Sequence, residues 1–87
     1  LRAVAQSMAR ELGPEGVHVA HLVIDGGVDS PAIHARRRAA AGDADLAFPE
    51  DSLMRLSSIA EAYWTLAHQS RDAWTFELDI RPFVEPW

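Results

Sequence analysis

The fold is decided by the stretch Val17-His18-Val19-Ala20-His21-Leu22-Val23-Ile24, which runs directly into Asp25-Gly26-Gly27-Val28-Asp29-Ser30-Pro31. The first part is rich in β-branched residues and ends in three consecutive apolar ones. This pattern predicts a strand over residues 17–24 that is covered on both faces, as in a parallel sheet. The loop at the carboxyl end of such a strand is where α/β proteins usually bind a ligand. We therefore expect part of a ligand site between residues 25 and 31.

A helical pattern precedes this strand. Apolar residues recur with helical spacing at Leu1, Val4, Ala5, Met8, Ala9 and Leu12. The spacing predicts an amphipathic helix over residues 1–13, which Gly13-Pro14 ends. The pattern is already in full register at Leu1, and no capping residue comes before it. We therefore expect that the chain enters this helix part way along.

The second half of the chain repeats the order of helix and strand. Ile59, Ala62, Tyr63, Leu66 and Ala67 predict a helix over residues 57–69, and Ser58 with Glu61 fits a capping box. Apolar and polar residues then alternate, which predicts a last strand over residues 74–80. The segment 25–52 between the two halves is expected to be a mobile loop, with a short helix from Ala32 to Ala41.

Two strands joined through a helix should lie parallel, with a right-handed crossover. The predicted fold class is therefore α/β, in the order helix, strand, excursion, helix, strand. A two-stranded parallel sheet is not stable alone. Residues 1–87 are thus expected to be a single partial domain, either a fragment or a chain that completes its sheet by assembly.

Composition excludes several classes of function. The formal net charge of -5 provides no basic surface for nucleic acid or anionic membranes, so neither is expected as a partner. The absence of cysteine excludes disulfides and cysteine-ligated zinc. No apolar run approaches the roughly 20 residues that span a bilayer, and no signal peptide is recognisable. We expect a cytoplasmic protein.

No metal site is expected. His18 and His21 lie three apart in the predicted strand, so they face opposite sides and cannot share a metal. Asp25 and Asp29 are too few for a cation, which requires more oxygen ligands. We expect the two histidines to be structural and the two aspartates to serve the loop.

The basic run Arg36-Arg37-Arg38 has two interpretations. It could clamp an anionic substrate or the extra phosphate of NADP, or it could be a solvated helix face balanced by nearby acidic residues; the pattern favours the second. Trp64 and Trp74 are expected to anchor a core or an interface, and Trp87 is expected to pack at the terminus.

These residues resemble the carboxyl-terminal third of the short-chain dehydrogenase/reductases, a family with a Rossmann-type, doubly wound parallel sheet. Residues 1–19 resemble the helix after the family's Tyr-x-x-x-Lys motif and the sixth strand. Residues 69–83 resemble the end of the last helix and the seventh strand. The family's Pro-Gly-x-Ile/Val-x-Thr pattern corresponds to residues 25–30, with Asp25 in place of the proline and Ser30 in place of the threonine.

The resemblance implies a set of cofactor contacts, namely Asp25, Gly26, Gly27, Val28 and Ser30. In the family, the backbone around Gly26 and Val28 would line the nicotinamide side of NAD or NADP, and the Ser30 hydroxyl would bind the carboxamide or a phosphate. Ser30 could instead be a loop hydroxyl that precedes a proline. The Asp25 carboxylate would be repelled by a pyrophosphate unless it faces away.

The resemblance also implies a function. The chain would be the carboxyl-terminal part of an NAD(P)-dependent oxidoreductase that moves hydride between a nicotinamide and an alcohol or carbonyl substrate. It would supply the cofactor wall, the substrate lid over residues 31–49 and contacts to a second copy in a dimer or tetramer. The family's catalytic Ser, Tyr and Lys have no counterpart here, so the 87 residues should be inactive alone. The alternatives are a non-catalytic oligomerisation module derived from the same fold and an unrelated small α/β binding domain.

Overall fold

Three α-helices and two strands make up the computed structural model, which describes residues 1–86. They follow the chain as α1 (Arg2–Leu12), β1 (His21–Ile24), α2 (Pro31–Ala41), α3 (Leu56–Ala67) and β2 (Glu77–Ile80), with a short 3₁₀ turn after α1. The α/β class is therefore confirmed. The expectation for Trp87 concerns a residue outside the described range.

The two strands pair in parallel, as predicted. His21 lies opposite Glu77, and Ile24 lies opposite Ile80. Arg2 of α1 forms an ion pair with Glu77 and places its guanidinium 5.6 Å from the centre of the Phe76 ring. These contacts hold α1 against the sheet face that carries Glu77.

Both strands are shorter than the sequence predicts, because side chains and a turn engage the backbone outside the four paired positions. Val17 N donates to Leu12 O and extends the end of α1. The Gln69 side chain accepts from Thr75 N and donates to Thr75 Oγ1, both at 2.8 Å. His18 bonds to Thr75 O at 2.8 Å and stacks on Trp74. His18, Gln69, Trp74 and Thr75 thus form a side-chain-mediated junction before the ladder begins.

The predicted capping box at the start of α3 is wrong. The helix begins at Leu56, with Arg55 as its N-cap and no capping side-chain hydrogen bond. Ser58 therefore lies inside the first turn. Helix α2 begins at Pro31, one residue earlier than predicted, because Ser30 caps it. Gly42, in a left-handed conformation, ends it.

Little of the chain is buried. Leu53, Met54, Ile59 and Leu66 form the buried apolar core, and no described side chain falls below 2% exposure. The radius of gyration is 16.6 Å, against about 12 Å for a compact domain of this length. The accessible surface is 6332 Å², against roughly 5,100 Å² for a folded monomer of this mass. The chain is thus more extended and more exposed than a compact monomer of its size.

None of the helices in residues 1–86 combines the length and the apolar character needed to cross a membrane.

Candidate functional site

Asp25, the first residue after β1, is held by the chain that follows β2. Asp25 N donates to Ile80 O at 2.9 Å, and its carboxylate lies 2.9 Å from Arg81 Nη2. Arg81 also pairs with Asp79 at 2.9 Å and donates to Pro86 O. The hydrogen bond to Asp79, with the charge of Asp25 adding to it, raises the pKa of Arg81 above its ordinary value despite the opposing effect of desolvation. The Asp25 carboxylate therefore shares one charged guanidinium with Asp79.

The two glycines are required by protein packing. Gly26 has φ +130°, and a Cβ at that position would lie 2.8 Å from Pro82 Cδ and 3.1 Å from Glu85 Cγ. Gly27 is buried, and its Cβ would collide with the Arg37 guanidinium and with Leu53. The tail after β2 and helix α2 both lie close to the backbone of this loop. They leave no room for a side chain at position 26 or 27, which explains the two consecutive glycines.

Val28 lies at an isolated parallel bridge to Met54. Met54 N donates to Gly27 O at 2.8 Å, and Asp29 N donates to Met54 O at 2.7 Å. These two bonds use the C=O of Gly27 and the N–H of Asp29, which flank Val28. Because successive peptide groups of an extended chain alternate in direction, the N–H and C=O of Val28 point away from Met54. Among residues 1–86 no hydrogen bond engages them. The loop therefore presents one donor and one acceptor that a ligand could use.

Ser30 caps helix α2. Its Oγ accepts from Ile33 N at 3.4 Å, a long bond, and Pro31 occupies the first helical turn. The structure thus gives Ser30 a local role that does not depend on a cofactor. Whether its hydroxyl also contacts one stays a prediction, as does the cofactor contact at Asp25, Gly26, Gly27 and Val28.

A histidine–carboxylate pair lies next to this loop. His34 Nε2 is 2.6 Å from Asp29 Oδ1, and the His34 ring stacks on Phe48 with centroids 4.5 Å apart. Asp29, His34 and Phe48 all line a cavity of about 340 Å³, which we call the His34 pocket. Its remaining walls come from the segment before α3, namely Pro49, Glu50, Asp51, Leu53 and Arg55.

Sequence reasoning missed this pocket. The signal was present in Ser30-Pro31, because a capped helix start places residue 34 within one turn of the cap, and His34 N indeed donates to Ser30 O. Phe48 could not be placed from the sequence, since it is carried by a segment without periodicity. Arg81, which follows the predicted last strand, likewise has no sequence signal for its contact with Asp25.

The basic run on α2 does not form an anion clamp in residues 1–86. Arg37 faces Gly27 and lies 4.0 Å from Glu85. Arg38 donates to Leu46 O and covers the Phe48 ring at 5.2 Å. Arg36 is exposed. Two of the three arginines therefore hold helix α2 to neighbouring segments, and the solvated-face interpretation applies only to Arg36.

No cluster of three or more metal-ligating side chains occurs within residues 1–86. Asp25 and Asp29 engage different partners, Arg81 and His34. His18 is held by Thr75 O, and His21 lies 3.6 Å from Glu77. The four side chains thus belong to separate ion pairs and hydrogen bonds.

Comparison with known proteins gives one informative similarity. The crystal structure of a short-chain dehydrogenase from Rhodopseudomonas palustris is 42% identical to this chain, with a TM-score of 0.56. The match covers 95% of this chain and 26% of the dehydrogenase, so the chain spans about a quarter of the length of that protein. No protein-family model matches the sequence. No curated protein matches it either. The chain is thus similar in sequence and fold to part of a short-chain dehydrogenase.

Proposed function

We propose that this chain is the carboxyl-terminal part of an NAD(P)-dependent short-chain dehydrogenase/reductase. The observation that carries the proposal is the 42% identity to a short-chain dehydrogenase over 95% of the chain, combined with a shared fold. In this proposal the complete protein transfers hydride between a nicotinamide and an alcohol or carbonyl, in the cytoplasm. The chain supplies the cofactor wall, the substrate lid and contacts to a second copy.

The open edge of β1 supports a sheet that continues beyond the two strands. His21 N donates to Phe76 O, just before β2, and Asp25 N donates to Ile80 O. Alternate residues along β1 therefore direct their peptide groups to the β2 side. The peptide groups of Leu22 and Ile24 therefore point to the other edge. A further strand would satisfy those peptide groups. A groove of about 390 Å³, lined by α1, α3 and the β1 region, also leaves room for further structure.

The loop after β1 supports the cofactor assignment. Val28 offers an N–H and a C=O that no described residue engages, at the carboxyl end of a parallel strand. The carboxylate of Asp25 shares the charge of Arg81 with Asp79, which reduces the repulsion that a bare carboxylate would exert on a pyrophosphate. We assign Val28 and Ser30 to direct contacts with the nicotinamide half of the cofactor. Asp25, Gly26 and Gly27 shape the loop that carries those contacts.

The DNA sequence upstream of the Leu1 codon tests the proposal most directly. A Tyr-x-x-x-Lys motif encoded a few residues before Leu1 is expected, because the matched dehydrogenase family carries its acid/base tyrosine and lysine there. An initiator codon immediately before Leu1 would contradict the proposal and favour the rival function, a non-catalytic module that associates through the exposed faces of its helices. Trp64 is 66% exposed on α3, which is the observation that favours this rival.

Cofactor binding provides the second test. Ser30→Thr and Ser30→Asn both retain a side chain that can cap α2, but only threonine keeps a hydroxyl. In the intact protein, NADH or NADPH affinity should be unchanged in the threonine variant and about tenfold weaker in the asparagine variant, the effect of one lost hydrogen bond. Fluorescence titration measures both. Equal affinities in all three proteins would limit Ser30 to its capping role.

A further inference from the structure

The His34 pocket lies beside the proposed nicotinamide wall. We propose that it binds the substrate as an uncharged alcohol and selects against substrates that carry a carboxylate or a phosphate. This inference rests on the proposed function, because Asp29 at the pocket stands between Val28 and Ser30, the two residues assigned to the cofactor. A substrate that exchanges hydride with a nicotinamide must lie next to it.

His34 supplies the group that recognises a hydroxyl. Its Nε2 is 2.6 Å from Asp29 Oδ1, and an ionised carboxylate can only accept, so Nε2 carries a proton and donates it. In the neutral form of the ring, the other nitrogen, Nδ1, is an acceptor. No hydrogen bond among the described residues uses Nδ1. An alcohol in the pocket would donate to it.

Aromatic stacking fixes the orientation of this histidine. The Phe48 ring lies against His34 at 4.5 Å, and the Arg38 guanidinium is 5.2 Å from the centre of the same ring. Arg38 is itself held by Leu46 O at 3.1 Å. Together with Pro49 and Leu53, Phe48 gives the pocket an apolar wall for the body of a small molecule.

The charges of the pocket exclude anions. Three carboxylates line it, those of Asp29, Glu50 and Asp51, against one guanidinium, that of Arg55. Arg55 is already paired with Asp51 at 2.7 Å. No ion pair within residues 1–86 neutralises Glu50. A ligand carboxylate or phosphate would therefore meet net negative charge, whereas an uncharged alcohol would not.

Two matched pairs of compounds test the selectivity. 1-Phenylethanol and mandelate share a benzylic secondary alcohol and differ by a carboxylate; 2-butanol and 2-hydroxybutanoate form the same comparison without the ring. Binding to the intact protein is measured by ligand-observed NMR, with and without NADH or NADPH. At least one alcohol should bind about tenfold or more tightly than its acid. Its binding should shift the ¹⁵N resonance of His34 Nδ1.

Three variants locate the effect. His34→Gln should weaken alcohol binding by about tenfold, as expected for one lost hydrogen bond in a pocket of this size. Glu50→Gln removes one negative charge from the pocket, so it should reduce the ratio of alcohol affinity to acid affinity. Arg36→Gln, on the exposed face of the same helix, is the matched control and should bind as the unmodified protein does.

The outcomes separate the pocket from the proposed function. Equal or tighter binding of the acids, no binding by any of the four compounds, or full alcohol affinity in His34→Gln would overturn the pocket assignment. Cofactor titration of the same samples reports on the proposed function. Alcohol selectivity without binding of NADH or NADPH would overturn the oxidoreductase proposal but support the pocket assignment. Binding of NADH or NADPH without alcohol selectivity would support the oxidoreductase proposal but overturn the pocket assignment.

Discussion

A single guanidinium connects the two strand ends at which a ligand is expected. Arg81 pairs with Asp25 after β1 and with Asp79 in β2, and its side chain is 11% exposed. The residue at position 25 is the clearest departure from the family pattern. The carboxylate is part of the ion-paired connection between loop and tail, and its effect on a bound cofactor stays a prediction.

The Arg81 connection leads to a prediction about stability. Arg81→Gln should lower the melting temperature more than Asp25→Asn does, because it leaves two carboxylates close together and unpaired, whereas Asp25→Asn leaves the Asp79 pair intact. The double variant should lose less than the sum of the two single losses. Thermal unfolding of all three variants measures this. Additive losses would show that Arg81 and Asp25 do not stabilise each other. Arg10→Gln, on the exposed face of α1, provides the control.

At the scale of elements, the turn after β1 is set by glycine. The glycines at positions 13, 26 and 42 differ in backbone conformation and in the space around the Cβ position. A comparison of the three therefore distinguishes the cost of backbone strain from the cost of a steric clash. Gly13 has a helical backbone and open space around its Cβ position, Gly42 has φ +65° and open space, and Gly26 has φ +130° and Pro82 within 2.8 Å. An alanine series at these positions therefore isolates each cost.

We expect the stability losses to rise in the order Gly13→Ala, Gly42→Ala, Gly26→Ala. The first should be neutral or stabilising, because alanine fits a helical backbone and restricts the unfolded chain. The second should cost about 1 kcal/mol from the left-handed backbone. The third should cost roughly 3 kcal/mol or more, since strain and a clash with the tail add. Chemical denaturation measures the series, and a Gly26→Ala cost no larger than that of Gly42→Ala would mean that the tail moves aside.

Periodicity accounts for how much of these elements could be predicted. The stripes of α1 and α3 and the apolar run of β1 have local causes, so the sequence places them within a few residues and predicts the parallel pairing. The strand ends and the contacts of Arg37 with Glu85 and of Arg81 with Asp25 depend on residues distant in the chain, whereas the Ser30 cap is local. Gln69, which replaces the sheet bonds of Thr75 with its side chain, has no sequence signature. For the His34 pocket only the position of His34 near the Ser30 cap has a local cause, because the other walls meet it only after α2 has been placed.

At the scale of the whole molecule, the chain is elongated and lightly buried. Its extents are 52 × 22 × 22 Å, and large apolar side chains on α1, α3 and the tail stay exposed, among them Val4 at 60%, Trp64 at 66% and Phe83 at 77%. A two-stranded parallel sheet with this much uncovered apolar surface requires further structure to be stable. The proposed parent fold and the rival oligomerisation module both supply it, but they cover different parts of the surface.

Hydrogen exchange at β1 distinguishes these two arrangements. Alternate peptide groups of β1 bond to β2, so the amide of Val23 should be protected in either case, whereas those of Leu22 and Ile24 face the open edge. In the intact protein we expect all three amides to exchange slowly, because the proposed sheet continues past β1 and pairs its second edge. Fast exchange at Leu22 and Ile24 beside slow exchange at Val23 would show that the edge stays open, and association would then have to occur through the exposed helices instead.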